Sequence, residues 1–125
     1  MERKKKIKEY TVTDELLACN LGGTLPVLAT PAISALFENT ALELAQEYLG
    51  DDSTTVGWKI SVKHLAPTRL GRKFRIICEL KEHSGRFFRF RLEARDDAGV
   101  IATGEHDRVS VVPDEFMDKA ELRER

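Results

Sequence analysis

The longest patterned stretch of the chain is Thr30 to Leu49 (TPAISALFENTALELAQEYL), where apolar residues recur at helical spacing. Wound at about 100° per residue, Ile33, Leu44, Phe37, Tyr48, Ala41 and Ala45 fall on one arc. Glu43, Gln46 and Glu47 fall on the other side. Pro31 suits the first turn, where its missing N–H has no intrahelical acceptor to lose. Thr30 before it reads as the N-cap, and Gly50 as the residue that closes the helix before the Asp51-Asp52 turn. One charged side chain breaks the pattern. Glu38 lies inside the apolar arc, with Ser34 one turn back and Ala41 and Ala45 beside it. It is either a carboxylate that loses hydration, as acid–base chemistry uses, or one that reaches water past the alanines.

Elsewhere the pattern alternates with a period of two, as half-buried strands do. Ile7 to Thr13 reads as a strand starting near Lys6, followed by a helical turn at Asp14 to Cys19. Asn20 to Ala29, with Gly22, Gly23 and Pro26, reads as an irregular loop leading to the helix, a suitable place for a lid. Thr54 to Pro67 is a long strand. Val56, Trp58, Ile60 and Val62 share one parity, and His64 ends that apolar face. Gly57 either marks a bulge or lets something approach the backbone closely. Turn residues Thr68 to Gly71 lead to a strand at Lys73 to Glu82, with Phe74, Ile76, Cys78 and Leu80 inward. His83-Ser84-Gly85 is a hairpin signal. Arg86 to Arg95 places Phe88, Phe90, Leu92 and Ala94 on one face and Phe87, Arg89, Arg91, Glu93 and Arg95 on the other. After a turn at Asp96 to Gly99 comes a last strand, Val100 to Val112, with a bulge expected near Gly104. The tail from Asp114 to Arg125 reads as a short helix or a frayed end.

Consecutive hairpins demand antiparallel pairing. One apolar-faced helix with one antiparallel sheet makes a two-layer α+β domain, the helix lying across the concave face of a curled sheet. A single sheet leaves open edges, so pairing with a second copy is expected.

The 125 residues suit one domain spanning 1–125. Twenty Lys and Arg against 21 Asp and Glu nearly cancel, so global charge gives no case for nucleic-acid binding. No apolar run approaches a membrane span. The basic run Glu2-Arg3-Lys4-Lys5-Lys6 is followed by no apolar segment, so it does not read as a secretory signal. Cys19 and Cys78 are far apart and form no CxxC pair, which suits a reduced, cytoplasmic protein.

Three residues stand where chemistry could occur: Thr30 at the helix start, Glu38 two turns in, and His64 at a strand end. Cap duty alone would explain Thr30, and a core-edge hydrogen bond would explain His64. The free N–H groups of a helix start would favour a carbonyl oxygen that gains negative charge. His64, His83 and His106 lack metal-ligand spacing, and no nucleophile elbow or phosphate loop is present. Phe87-Phe88-Arg89-Phe90-Arg91 mixes aromatic and basic residues as single-strand binders do, but alternation accounts for it.

Together, Leu28-Ala29-Thr30-Pro31 leading to Glu38, Val56-Gly57 leading to His64 with Pro67-Thr68, and Gly104-Glu105-His106-Asp107-Arg108 resemble the hot-dog-fold thioesterases of the fluoroacetyl-CoA type. The likeness runs from the first strand to about Phe116. It implies a hot-dog fold, hydrolysis of a small or short-chain acyl-CoA, and a catalytic set of Thr30, Glu38 and His64. Substrate contacts would come from Gly57, His64 and Arg108. It also implies a homodimer or larger assembly, with no cofactor beyond the CoA of the substrate and no metal. The loop Gly22 to Ala29 carries no aromatic residue, whereas the fluoroacetyl enzyme has an aromatic lid. Selectivity for a fluorinated substrate is therefore not implied. The alternative is the same fold holding an acyl-CoA without turning it over.

Overall fold

The computed structural model describes residues 4–125; Glu2 and Arg3 of the basic N-terminal run lie outside the described residues. Five strands form one antiparallel sheet in the order β1-β3-β4-β5-β2: β1 Lys5–Thr11, β2 Thr54–His64, β3 Lys73–Ser84, β4 Phe87–Asp96 and β5 Gly99–Val111. Helix α1, Thr30–Gln46, packs on one face of the sheet, and α2, Pro113–Leu122, forms the tail.

The core lies between α1 and the sheet. Ile33, Phe37, Ala41, Leu44 and Ala45 of the helix meet Phe74, Ile76, Cys78, Phe88, Phe90, Leu92 and Ala94 of the strands, all buried. Each large apolar side chain removed from water contributes about 1.5–3 kcal/mol. The alternation of β4 is realised directly: Phe88 and Phe90 are inside, Arg89 and Arg91 outside. On β1 the inward positions carry Lys6 and Lys8, whose ammonium groups meet Glu43 of α1 and, for Lys6, Glu47 just past its end. Inward charge on an edge strand discourages indiscriminate pairing.

Several expected boundaries shift. The helix ends at Gln46, not Leu49, because its last turn tightens: Glu47, Tyr48 and Leu49 bond back three residues, and Gln46 Nε2 donates to the Gly50 and Ser53 carbonyls. Gly50 therefore needs no left-handed conformation, and its φ is not positive. Asp14 to Cys19 resolves into two 3-10 turns, Asp14–Leu16 and Ala18–Asn20. The loop after them is pinned at both ends. Ala18 and Cys19 donate to Val27 and Leu25, while Leu28 and Ala29 donate to Thr68 and Leu16. Its tip, Leu21 to Pro26, is exposed.

The bulges also move. Gly104 pairs regularly with Val62 and Leu92, so no bulge lies there. It is glycine because a Cβ would sit 2.8 Å from Phe37 Cε2 and 2.8 Å from the Ser61 carbonyl oxygen. The register of β4 against β5 shifts instead between Ala94 and Arg95, and that of β2 against β5 between Gly57 and Lys59. This second bulge, at Trp58, corrects the expected parity of β2. Thr55 is buried rather than Val56, and Trp58 is 67% exposed, against an expected place on the apolar face. Its indole meets the Phe87 ring edge-on instead.

Candidate active site

Thr30 is the first residue of α1, with Ala29 in the cap position and no side-chain cap bond. The expected capping role does not hold, because the hydroxyl goes elsewhere: Thr30 Oγ1 lies 2.8 Å from His64 Nδ1. His64 is the final residue of β2. There the inward parity of Ile60 and Val62 carries it toward the helix start. Thr30 is exposed while the His64 ring is half-buried. Burial pulls the His64 pKa below its ordinary value, partly opposed by the Ala66 backbone. The ring is thus neutral at pH 7 and can accept the Thr30 proton at Nδ1. In that tautomer the ring's own N–H is on Nε2, a buried atom.

Glu38 does not join this pair. It lies eight residues further along α1, about 12 Å at 1.5 Å per residue. No hydrogen bond or ion pair links it to Thr30 or His64 among the described residues. Its neighbours are Arg108 on β5, with Nη1 3.7 Å from Glu38 Oε1, and Gly57 on β2. Within one chain the Glu38 side chain is 42% exposed. The single chain therefore does not enclose this carboxylate, which opens to the hollow beside Gly57 and Trp58.

Arg108 is buried and its fork is pinned. Nε donates to Thr55 Oγ1 at 2.7 Å, Nη2 to the Thr55 carbonyl at 2.9 Å, and Nη1 to His106 Nε2 at 3.0 Å. Burial disfavours its charge, and Glu38 offsets only part of that cost. At Gly57 an added Cβ would lie 2.9 Å from Glu38 Oε1, 3.3 Å from His106 Cε1 and 3.6 Å from Arg108 Nη1. Both readings of Gly57 apply: it borders the bulge and it admits close approach. A shallow hollow of about 250 Å³ opens here, lined by Glu38, Gly57, Trp58, Lys59, Ile60 and His106.

One chain thus holds two polar centres. Thr30 and His64 form a hydroxyl–imidazole couple at the start of α1. Glu38, Gly57 and Arg108 meet two turns along the helix, with His106 and Thr55 beneath. Sequence reading missed these last two. For His106 the parity of β5 was an available signal, since it shares one side of the strand with Arg108; Thr55 had none, because the β2 bulge reverses its parity.

A long helix packed on an antiparallel sheet of this strand order is the hot-dog arrangement, and a hydroxyl bonded to an imidazole at the start of that helix is a pairing that acyl transfer can use. The sequence profile of the fluoroacetyl-CoA-specific thioesterase family matches residues 12–115. The chain belongs to this family of thioester hydrolases. Among solved structures it is similar to the fluoroacetyl-CoA thioesterase FlK, at 23% identity over 100% of this chain and 96% of that one, TM-score 0.86. A thioesterase superfamily member from Thermus thermophilus matches at 23% identity, 100% and 94% coverage, TM-score 0.88. A hot-dog-like protein from Thermanaerovibrio acidaminovorans matches at 23%, 95% and 89%, TM-score 0.88. No curated protein matches the chain.

Proposed function

We propose that the chain is an acyl-CoA thioesterase that hydrolyses a small or short-chain acyl-CoA to the free acid and CoA. The observation that carries this reading is the Thr30 Oγ1–His64 Nδ1 pair at 2.8 Å. His64 takes the Thr30 proton as the oxygen attacks the thioester carbonyl. The N–H groups at the start of α1 face the oxygen that gains charge. His64 returns the proton to the departing CoA sulfur, and water then releases the acid by the same route in reverse. Water activated by the same couple could also attack the thioester directly, and trapping of an acyl-Thr30 ester by mass spectrometry separates the two courses. The reaction needs only water and the acyl-CoA.

Glu38 is the third catalytic residue in this reading, and a homodimer brings it into use. Two observations support the dimer: β2 is an edge of the sheet, and the exposed Trp58 and Glu38 both lie at that edge. A second copy laid against β2 would cover both. Gly57 and Arg108 belong to the substrate-binding side, where the missing side chain of Gly57 leaves the opening onto Glu38. A cytoplasmic location fits the two free cysteines, and no helix among the described residues is long and apolar enough to cross a membrane.

The test is thiol release from a panel of acyl-CoAs of increasing chain length. Turnover that is fastest for short chains supports the reading. A rise in melting temperature on adding acyl-CoA, with no thiol released from any member, shows a binding module instead.

A further inference from the structure

We propose that His106 is a positioning residue, an imidazole held with its proton on Nδ1 whose bare Nε2 seats the Arg108 guanidinium against Glu38. Its kinetic consequence rests on the thioesterase reading; its protonation state does not.

His106 is 1% exposed, in the middle of β5. Its Nδ1 lies 2.7 Å from the Lys59 carbonyl oxygen. A carbonyl only accepts, so Nδ1 carries hydrogen. Its Nε2 lies 3.0 Å from Arg108 Nη1. A guanidinium only donates, so Nε2 is bare. These two partners admit one state of the ring, neutral with Nδ1 protonated. A second proton on Nε2 would point at an N–H already there.

The charges around the ring agree. Burial disfavours the imidazolium most, and Arg108 disfavours it further. The Lys59 carbonyl, Glu38 on α1 and Asp107 on β5 act the other way without reversing the balance. Asp107 is itself engaged by Arg89 on the opposite face of the sheet. The Phe90 ring, 6.5 Å away, adds no charge.

The consequence falls on Arg108. Thr55 fixes its Nε and Nη2, but the arm facing Glu38 is Nη1, and His106 is the acceptor that fixes that arm. Without Nε2, one N–H of Nη1 loses its acceptor and the guanidinium is free to turn about its Thr55 anchors. Gly57 leaves the space for it to do so.

Nitrogen-15 NMR of the histidine rings tests the protonation state without any activity. His106 is expected as the Nδ1–H tautomer, without titration from pH 8 to 6. In Arg108→Lys, whose flexible amine does not hold the same donor, the His106 shifts are expected to move and the ring to take up protons at higher pH. An Nε2–H tautomer, or titration of the parent His106 near 6.5, overturns the proposal whether or not the protein is an enzyme.

On the thioesterase, His106→Phe keeps a ring of similar size and removes both nitrogens. It is expected to lower kcat/KM about 10- to 100-fold, the scale of a misplaced group near reacting atoms. His106→Gln, which can offer an oxygen near the Nε2 position, is expected to recover most of it. His106→Phe combined with Arg108→Lys is expected to be no slower than Arg108→Lys alone. Losses that multiply in the double variant, or a Gln variant as slow as Phe, would reduce His106 to a packing residue. If His106→Phe does not fold, the Arg108→Lys NMR comparison decides the matter: unmoved His106 shifts there also overturn the proposal. A parent that releases no CoA sinks the thioesterase reading and leaves the NMR result standing.

Discussion

Arg108 presents Nη1 to the Glu38 carboxylate at 3.7 Å across a gap that exists because residue 57 has no side chain. The gap makes two glycines comparable. Gly57→Ala places a methyl 2.9 Å from Glu38 Oε1, the far end of a flexible side chain that can swing away. The same methyl would lie 3.3 Å from His106 Cε1, so the expected outcome is a folded protein that loses less stability than Gly104→Ala, with thiol release down at least tenfold. Gly104→Ala meets the buried Phe37 ring and a backbone carbonyl, neither free to move. It is expected to cost about 1–3 kcal/mol or more, as overpacking does. Denaturant melts of the two variants check the order; equal losses would show that the Gly57 gap is not special.

Stability should fall as the solution is acidified through the histidine range. Burial holds both His64 and His106 below the ordinary imidazole value of 6.5. As pH falls, the unfolded chain binds these protons first, so the unfolded state is favoured. The stability they supply is complete above about 6.5 and is lost from there down through the folded-state values. Melting temperature is expected to decline between pH 7.5 and 5.5. His106→Gln should flatten that slope. A slope unchanged by the substitution would contradict the assignment.

The acid limb of kcat/KM carries the same sign. In the proposed mechanism a neutral His64 takes the proton, and its depressed value keeps it neutral below the usual range. Activity is expected to hold as pH falls through 6.5, and a limb centred above 6.5 would contradict this role for His64.

The two thiols should differ sharply. Cys19 is exposed, whereas Cys78 is buried beneath α1 and its thiol is pushed up to about 12 by burial, with the Glu79 charge adding to it. Titration with a disulfide reagent is expected to count one thiol in the folded protein and two after unfolding. Two fast equivalents in the folded state would contradict the core packing.

Much of this fold was legible because its periodicities are unbroken. Phe88 to Ala94 alternate without interruption, and Ile33, Phe37, Ala41 and Leu44 keep one helical stripe. The misreadings sit where the backbone departs from a repeat. The bulge at Trp58 reverses the parity of everything before it in β2, so Thr55 rather than Val56 turns inward and reaches Arg108. No residue count reveals such a shift. Thr30 was placed correctly at the helix start, but its hydroxyl had two possible duties there. The choice between them depended on His64, 34 residues away. Glu38 was recognised as the odd residue of the helix. The imidazole beside it in the chain is His106, on the last strand, where alternation is least regular.

The most direct measurement is the rate of CoA release from a short-chain acyl-CoA by the parent protein and by Thr30→Val, His64→Ala and Glu38→Ala. Loss of a positioned acid–base group typically costs about 10²–10⁴-fold. Each variant is expected to fall in that range while keeping the parent's circular dichroism spectrum. Folded Thr30→Val and His64→Ala proteins that release CoA as fast as the parent would contradict the account.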